Sequence, residues 1–239
     1  MRELFREIAG ISFFIVDTFR NTFRPPVEFS EFIRQSYIVG YKTLPLVSLT
    51  ALIMGLVLTL QIRPVLFDLG VESFLPGMVF LSIVREIGPV IISLIFAGKA
   101  GSRMSAELSS MRVTEQIDAM EVSGIYPMRF LVVTRVFAST IMLPLLVIYA
   151  DFISLLGSYV GINIQQNLSF SLYISQAFDM VKFNDIIPGL IKTVFFGFAI
   201  GIVSCYTGYT MNKGAEGVGI ATNMAVIYAS VAVFVLDLL

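Results

Sequence analysis

The chain of 239 residues has no histidine, no tryptophan and a single cysteine, and only 14% of its residues are charged. Without histidine the ordinary neutral-pH base and the commonest metal ligand are both missing. Serine–histidine and cysteine–histidine catalysis and zinc chemistry therefore fall away. Cys205 cannot form an internal disulfide and lies in an apolar run, where a small packing role is the default. Soluble domains carry roughly 25% charged residues. The net charge of −1 leaves no large basic face for nucleic acid. No GxxxxGK[ST] phosphate loop is present, because Gly98-Lys99 lacks the upstream glycine. If ATP is used, another chain binds it.

What remains is strongly apolar: 56% hydrophobic residues, including 21 phenylalanines. So little polar surface cannot cover such a core in water, and the bilayer must be the solvent. Charge-poor runs at 43–62, 74–98, 130–162, 186–211 and 218–236 suit five spanning helices of about 20 residues or more. Before them, Leu4, Ile8, Ile11, Ile15, Phe19 and Phe23 recur every three or four positions among Arg2, Arg6, Asp17, Arg20 and Arg24. This pattern predicts an amphipathic helix over 1–26, closed by Pro25-Pro26. It lies either in the membrane interface or on the protein's own surface. Arg2 and Arg6 are followed too soon by Asp17 and Arg20, with no small-residue cleavage site, for a removable signal.

With the N-terminus inside, the inner segments hold Arg2, Arg6, Arg20, Arg24, Arg34, Lys42, Lys99, Arg103, Arg112, Arg129 and Lys213. The outer loops then hold only Arg63 and Lys182. The positive-inside rule selects this orientation, with the C-terminus on the far side. The last run stops abruptly after Asp237, so the native chain is expected to continue for a few residues. No internal repeat of the secondary-transporter kind is visible.

Arg85-Glu86 interrupts the second run roughly 17 Å from Phe74 at 1.5 Å per residue, near mid-membrane. An unpaired charge there costs at least about 2.5 kcal/mol, so both side chains should face protein or water. Pro89 has no N–H for the carbonyl of Arg85 and weakens the helix at the same place. A cavity wall explains the three together; an ion-pair network with Arg135, Asp151 or Lys192 is the structural alternative, and both can hold. Small residues repeat at four-residue spacing in Ala97/Gly101/Ser105, Gly98/Ser102/Ala106, Gly157/Gly161 and Gly197/Gly201. They predict close helix packing, within the subunit or across a dimer. Thr114 is placed to cap a short acidic helix carrying Glu115 and Asp118, ended by Gly124 and Pro127. That helix is either a surface connection or a docking element for a partner.

Several stretches resemble the signature of the MlaE permease family: Arg85-Glu86-Ile87-Gly88-Pro89, Ala97-Gly98-Lys99-Ala100-Gly101-Ser102, Ala106-Glu107-Leu108 and 111–121. Leu190-Ile191-Lys192, 214–219 and Ala221-Thr222 are similar to its C-terminal half. The resemblance runs over nearly the whole chain and implies one all-α permease domain with five spans, an interfacial helix and a cytoplasmic coupling helix. It implies a transporter subunit in the bacterial inner membrane that holds no cofactor, with ATP and Mg on a separate ATPase. The implied partners are a second copy of the chain, two ABC ATPase subunits, a hexameric periplasmic MCE-domain protein and a small STAS-domain protein. The implied cargo is phospholipid, carried in service of outer-membrane lipid asymmetry.

By matching position, Leu58, Gln61, Leu66, Leu69, Arg85 and Glu86 are the expected lipid-cavity wall. Glu115, Gln116, Asp118, Ala119, Met120 and Glu121 are the expected coupling surface. Many members carry arginine where this chain has Lys99, and the outer loop from Asn163 to Phe183 matches none of the family's pattern. Other classes predict different behaviour. An ion-coupled carrier would use Glu86, Asp151 and Lys192 as a relay. An intramembrane lipid enzyme would need a nucleophile that the composition scarcely offers. A passive membrane anchor leaves the intramembrane charges unexplained.

Overall fold

A computed structural model describes residues 2–22, 28–164, 166–211 and 214–238, with side chains from Ala9 onward. Arg24, Pro25, Pro26 and Lys213, and the side chains of Arg2, Leu4, Arg6 and Ile8, lie outside the described residues. Among those described, the secondary structure is entirely helical. Five helical stretches are long and apolar enough to cross a membrane: Phe29–Asp68, Glu72–Val113, Met128–Asn163, Phe183–Tyr209 and Gly214–Asp237. The chain is thus an all-α, multi-pass membrane protein.

Its helices are α1 (Arg2–Thr22), α2 (Phe29–Val39), α3 (Leu44–Asp68), α4 (Leu75–Ser82), α5 (Gly88–Phe96) and α6 (Ser102–Val113). They continue with α7 (Gln116–Val122), α8 (Thr134–Asn163), α9 (Phe170–Met180), α10 (Phe183–Tyr209) and α11 (Gly214–Asp237). Wider π-turns at Ile83–Ile87 and Ala97–Gly101 join α4, α5 and α6 without a break, and a third at Met128–Val133 leads into α8.

Two expected ends are not ends. Arg63 and Pro64 suggest that the first span stops at Ile62, yet α3 runs on to Asp68 with Pro64 inside it. Leu66, 5% exposed, packs into the core and holds this extra turn in place. The second span does not stop at Gly98, because the π-turn carries the helix through the glycines to Val113.

The helices sort into two compact units. The first comprises Met1–Thr43, Phe96–Leu143 and Phe195–Leu239. Its core gathers Phe14, Leu108, Ile117, Leu131, Val132, Val136, Ile202 and Cys205. The inner face of α1 packs on it: the Phe14 ring lies 5.6 Å from Tyr206 and 6.1 Å from Tyr209. A Cβ on Gly10 would strike the Tyr206 hydroxyl. Phe13 and Val16, on the other side of α1, are 77% and 64% exposed. One face of α1 thus seats on the protein, and the other offers apolar groups outward. Gly217, Ala221, Ala225 and Ala229 form a buried ridge on α11 that packs against α6.

The second unit comprises Leu44–Ile95 and Pro144–Val194. Here α3 and α8 approach to backbone contact: a Cβ on Gly55 would strike the Ser154 carbonyl, and one on Gly157 the Leu52 carbonyl. Hydroxyls satisfy each other across the same seam, Thr59 donating to Ser158 at 2.7 Å and Ser48 meeting Tyr149 at 2.7 Å. Water is absent from such a seam, so small residues and paired hydroxyls supply the attraction. The expected outer loop contains α9, capped by the Ser169 hydroxyl accepting from the Leu172 N–H. Its Tyr173 and Ala177 are buried, and α9 packs on α4.

Candidate functional site

The π-turn Ile83–Ile87 follows from its sequence. Pro89 cannot donate to the carbonyl of Arg85, and the Gly88 N–H instead reaches back to Ile83. The widened turn presents Arg85 and Glu86 side by side, 57% and 59% exposed, while Ile83 and Val84 stay buried.

Both charges find partners on α10. Asp185, Gly189 and Lys192 fall at i, i+4 and i+7 and share one helix face. Gly189 sits directly on the turn, where a Cβ would come within 2.5 Å of the Val84 carbonyl oxygen. Asp185 and Lys192 reach past it on either side. Arg85 Nη2 lies 3.2 Å from Asp185 Oδ1, and Lys192 Nζ lies 3.0 and 3.2 Å from the two Glu86 oxygens. Asp185 is itself fixed in the first turn of α10, its other oxygen accepting the Lys182 N–H at 3.0 Å. A carboxylate is favoured at that end of the helix. The result is two salt bridges of opposite polarity set side by side on an apolar wall, both within reach of solvent or a ligand.

Of the network expected from sequence, Lys192 takes part. Arg135 instead pairs with Glu107 at 3.2 Å, and Asp151 makes no ion pair among the described residues. Asp185 was not identified by sequence reasoning. Its shared periodicity with Lys192 and the intervening Gly189 is the signal that would have found it.

The other expected wall residues divide. Gln61 and Leu69 are exposed, Leu69 at 68%. Leu58 is half-buried against the unit's core, and Leu66 is inside that core, away from any open face. Next to Gln61 an open groove of about 310 Å³ is lined by Leu60, Arg63, Pro64, Phe67 and Asp68. It offers one cation, Arg63, and one carboxylate, Asp68, among apolar groups.

The short helix α7 is built differently from expectation at its start. Thr114 does not cap it, since its hydroxyl bonds back to the Ser110 carbonyl of α6 at 2.9 Å. The capping position is Glu115, whose φ of 56° turns the chain sharply from α6 into α7 with no side-chain cap. The end of α7 is as expected. Gly124, at φ +78°, closes it with Gly124 N–H to Glu121 O and Ile125 N–H to Met120 O, both 3.0 Å. Only Ile117 is fully buried. Glu115, Gln116, Asp118, Ala119 and Glu121 are exposed, Met120 is half-buried, and Val122 is 91% exposed. Asp118 is held by Arg112 at 2.7 Å.

The small-residue ridges are also resolved. Ala97, Gly101 and Ser105 face inward, Gly101 against Ser204, and Gly197 and Gly201 meet Ser139. Gly161 meets Thr59. A Cβ on Gly98 would meet only open space among the described residues, whereas Ser102 and Ala106 on the same ridge are half-buried.

Five apolar helices, with charges paired between two of the spans, define a multi-pass membrane protein. A family model described as Permease MlaE matches residues 32–239. The chain is 37% identical over 230 residues to a probable ABC transporter permease of Rickettsia felis, covering 96% of this chain and 89% of that one. It is 35% identical over 206 residues to the intermembrane phospholipid transport system permease protein MlaE of Haemophilus influenzae, covering 86% and 79%. A probable ABC transporter permease of Pyropia yezoensis is 34% identical over 211 residues, covering 88% and 80%. The chain belongs to the MlaE permease family.

Proposed function

We propose that this chain is the membrane subunit of an ATP-driven phospholipid transporter. Two copies enclose a lipid-sized chamber, and each is worked from the cytoplasmic side by a separate ABC ATPase. The observation that carries the reading is the double salt bridge of Arg85–Asp185 and Glu86–Lys192. A phospholipid headgroup carries a phosphate and often an ammonium, and needs an anion site and a cation site a few ångströms apart beside an apolar wall for its tails. Adjacent Arg85 and Glu86 supply both signs, and a headgroup can replace Asp185 and Lys192 as their partner. Gln61, Leu58 and Leu69 extend the wall along α3, with Leu66 supporting it from behind.

The exposed face of α7 is the coupling surface, presenting Glu115, Gln116, Asp118, Ala119, Met120 and Glu121 to the ATPase. ATP and Mg bind on that partner. Closure of the two ATPases pushes the α7 helices, and the chamber exchanges one lipid affinity for another. Charge distribution favours the bacterial inner membrane, with the N-terminus and α7 cytoplasmic and the C-terminus periplasmic. The Haemophilus relative's name, an intermembrane phospholipid transport permease, supports the choice of cargo. The proposed assembly extends to a hexameric periplasmic MCE-domain protein and a cytoplasmic STAS-domain protein, with a part in outer-membrane lipid asymmetry. The Gly98/Ser102/Ala106 ridge is the natural seam for the second copy, since small residues drive helix association in lipid. In this assembly residues 1–26 are the interfacial helix of one permease domain.

The test is reconstitution with the ATPase in liposomes and measurement of fluorescent phospholipid movement. Movement that needs hydrolysable ATP supports the reading. Movement driven by a proton gradient without nucleotide would replace it with ion-coupled transport. The pairing of Glu86 with Lys192, and the absence of Asp151 from that pair, speaks against the latter.

A further inference from the structure

The site above leaves one ion pair unused, with its arginine buried and its glutamate, Glu107, half-buried. Arg135, 2% exposed, lies just beyond the π-turn Met128–Val133. Its Nη1 donates to the Leu131 carbonyl of that turn at 2.8 Å, and its Nη2 reaches Glu107 Oε2 of α6 at 3.2 Å. The neighbour of Glu107 on α6, Leu108, packs in one core with Leu131, Val132 and Val136 and with Ile117, the buried anchor of α7. Arg112 and Asp118 tie α6 to α7 a second time at 2.7 Å.

A buried ion pair is weak evidence for stability, because apolar residues of similar volume hold two helices together as well or better. Its distinctive property is directional. Apolar surfaces slide past one another at small cost, whereas α6 cannot slip along α8 without leaving the buried Arg135 guanidinium short of its carboxylate partner. The pair therefore fixes register, and it does so beside the root of α7. Arg135 stands in the first turn of α8, so the pair acts directly on the start of that helix.

We propose that Glu107 and Arg135 are positioning residues that lock α8 to the α6–α7 corner, so that a push on α7 becomes movement of α8. This rests on the reading of α7 as the ATPase-docking helix. Neither residue is required to touch lipid or nucleotide.

The test uses the full chain assembled with its ATPase in liposomes, reading ATP turnover and fluorescent phosphatidylglycerol transfer in parallel. The double variant Glu107→Leu/Arg135→Met replaces the pair by apolar groups of similar size. It is expected to assemble and to hydrolyse ATP within about twofold of wild type, while lipid moved per ATP falls at least tenfold. Reversing the pair, Glu107→Arg with Arg135→Glu, is expected to recover most of that ratio. A double variant with the wild-type ratio overturns the proposal. If it does not assemble, the reversed pair decides: an assembled, hydrolysing complex that stays uncoupled overturns the proposal, and a coupled one supports it. Wild-type complex moving lipid without nucleotide would overturn the docking reading itself, an outcome distinct from failure of the pair alone.

Discussion

Gly189 offers a way to open the charge site without touching a charge. A methyl added there comes within 2.5 Å of the Val84 carbonyl oxygen, a backbone atom that cannot rotate aside. Carbon and oxygen settle no closer than about 3.3 Å, so α10 must withdraw from the π-turn by roughly 0.8 Å. Asp185 and Lys192 ride on the same face, and pairs now at 3.2 and 3.0 Å would stretch toward 4 Å, the limit of a direct ion pair. Overpacking of this kind costs about 1–3 kcal/mol, offset by up to about 1 kcal/mol from replacing glycine in a helix. Gly189→Ala should therefore lose up to about 2 kcal/mol, or up to roughly 8 °C in Tm for a chain of this size. Gly189→Val should lose more. The assay is thermal unfolding in detergent, followed by mass spectrometry of co-purified lipid, which should fall or change in headgroup class. A Gly189→Ala protein that melts no lower than wild type and carries the same lipids would refute the account of how α10 seats on the turn.

Arg85→Ala or Glu86→Ala should change the lipid recovered with the purified complex, whereas identical lipid content would count against contact with the headgroup. Glu115→Lys or Asp118→Lys should abolish stimulation of the ATPase while dimerisation and melting stay intact; undiminished turnover and lipid transfer would remove the coupling role of α7. Cys205 is fully buried, which shields its thiol from reagents in solution. Maleimide should label it only after denaturation, and rapid labelling of the folded protein would show that its core is packed otherwise.

The spans were legible because their runs are long and nearly free of charge, and lipid demands both. Their ends were less so. Pro64 and Gly98 signal termination in water, but in an apolar setting the backbone gains more from staying helical, and tertiary contacts at Leu66 and Gly101 hold the extra turns. The Arg85-Glu86-Pro89 cluster announced a perturbed helix, and the π-turn is its physical form. Asp185 shares a helix face with Lys192, and that periodicity marks it as a candidate, but its partner Arg85 lies far away in sequence and only the fold brings the two together. Thr114 obeyed the capping rule only in type: the chain turns so tightly at Glu115 that the hydroxyl serves the preceding helix instead. Whether small residues pack within a protomer or across copies is not written in their spacing. The structure separates them: Gly101, Gly157, Gly161, Gly197 and Gly201 pack within the protomer, and Gly98 faces open space.

The most direct measurement is an electron cryomicroscopy map of the chain assembled with its ATPase in a lipid nanodisc. The account predicts an opening between two copies that contains elongated, lipid-shaped density ending against Arg85 and Glu86. Side chains of the second copy packed solidly over both residues, with no opening between the copies, would contradict it.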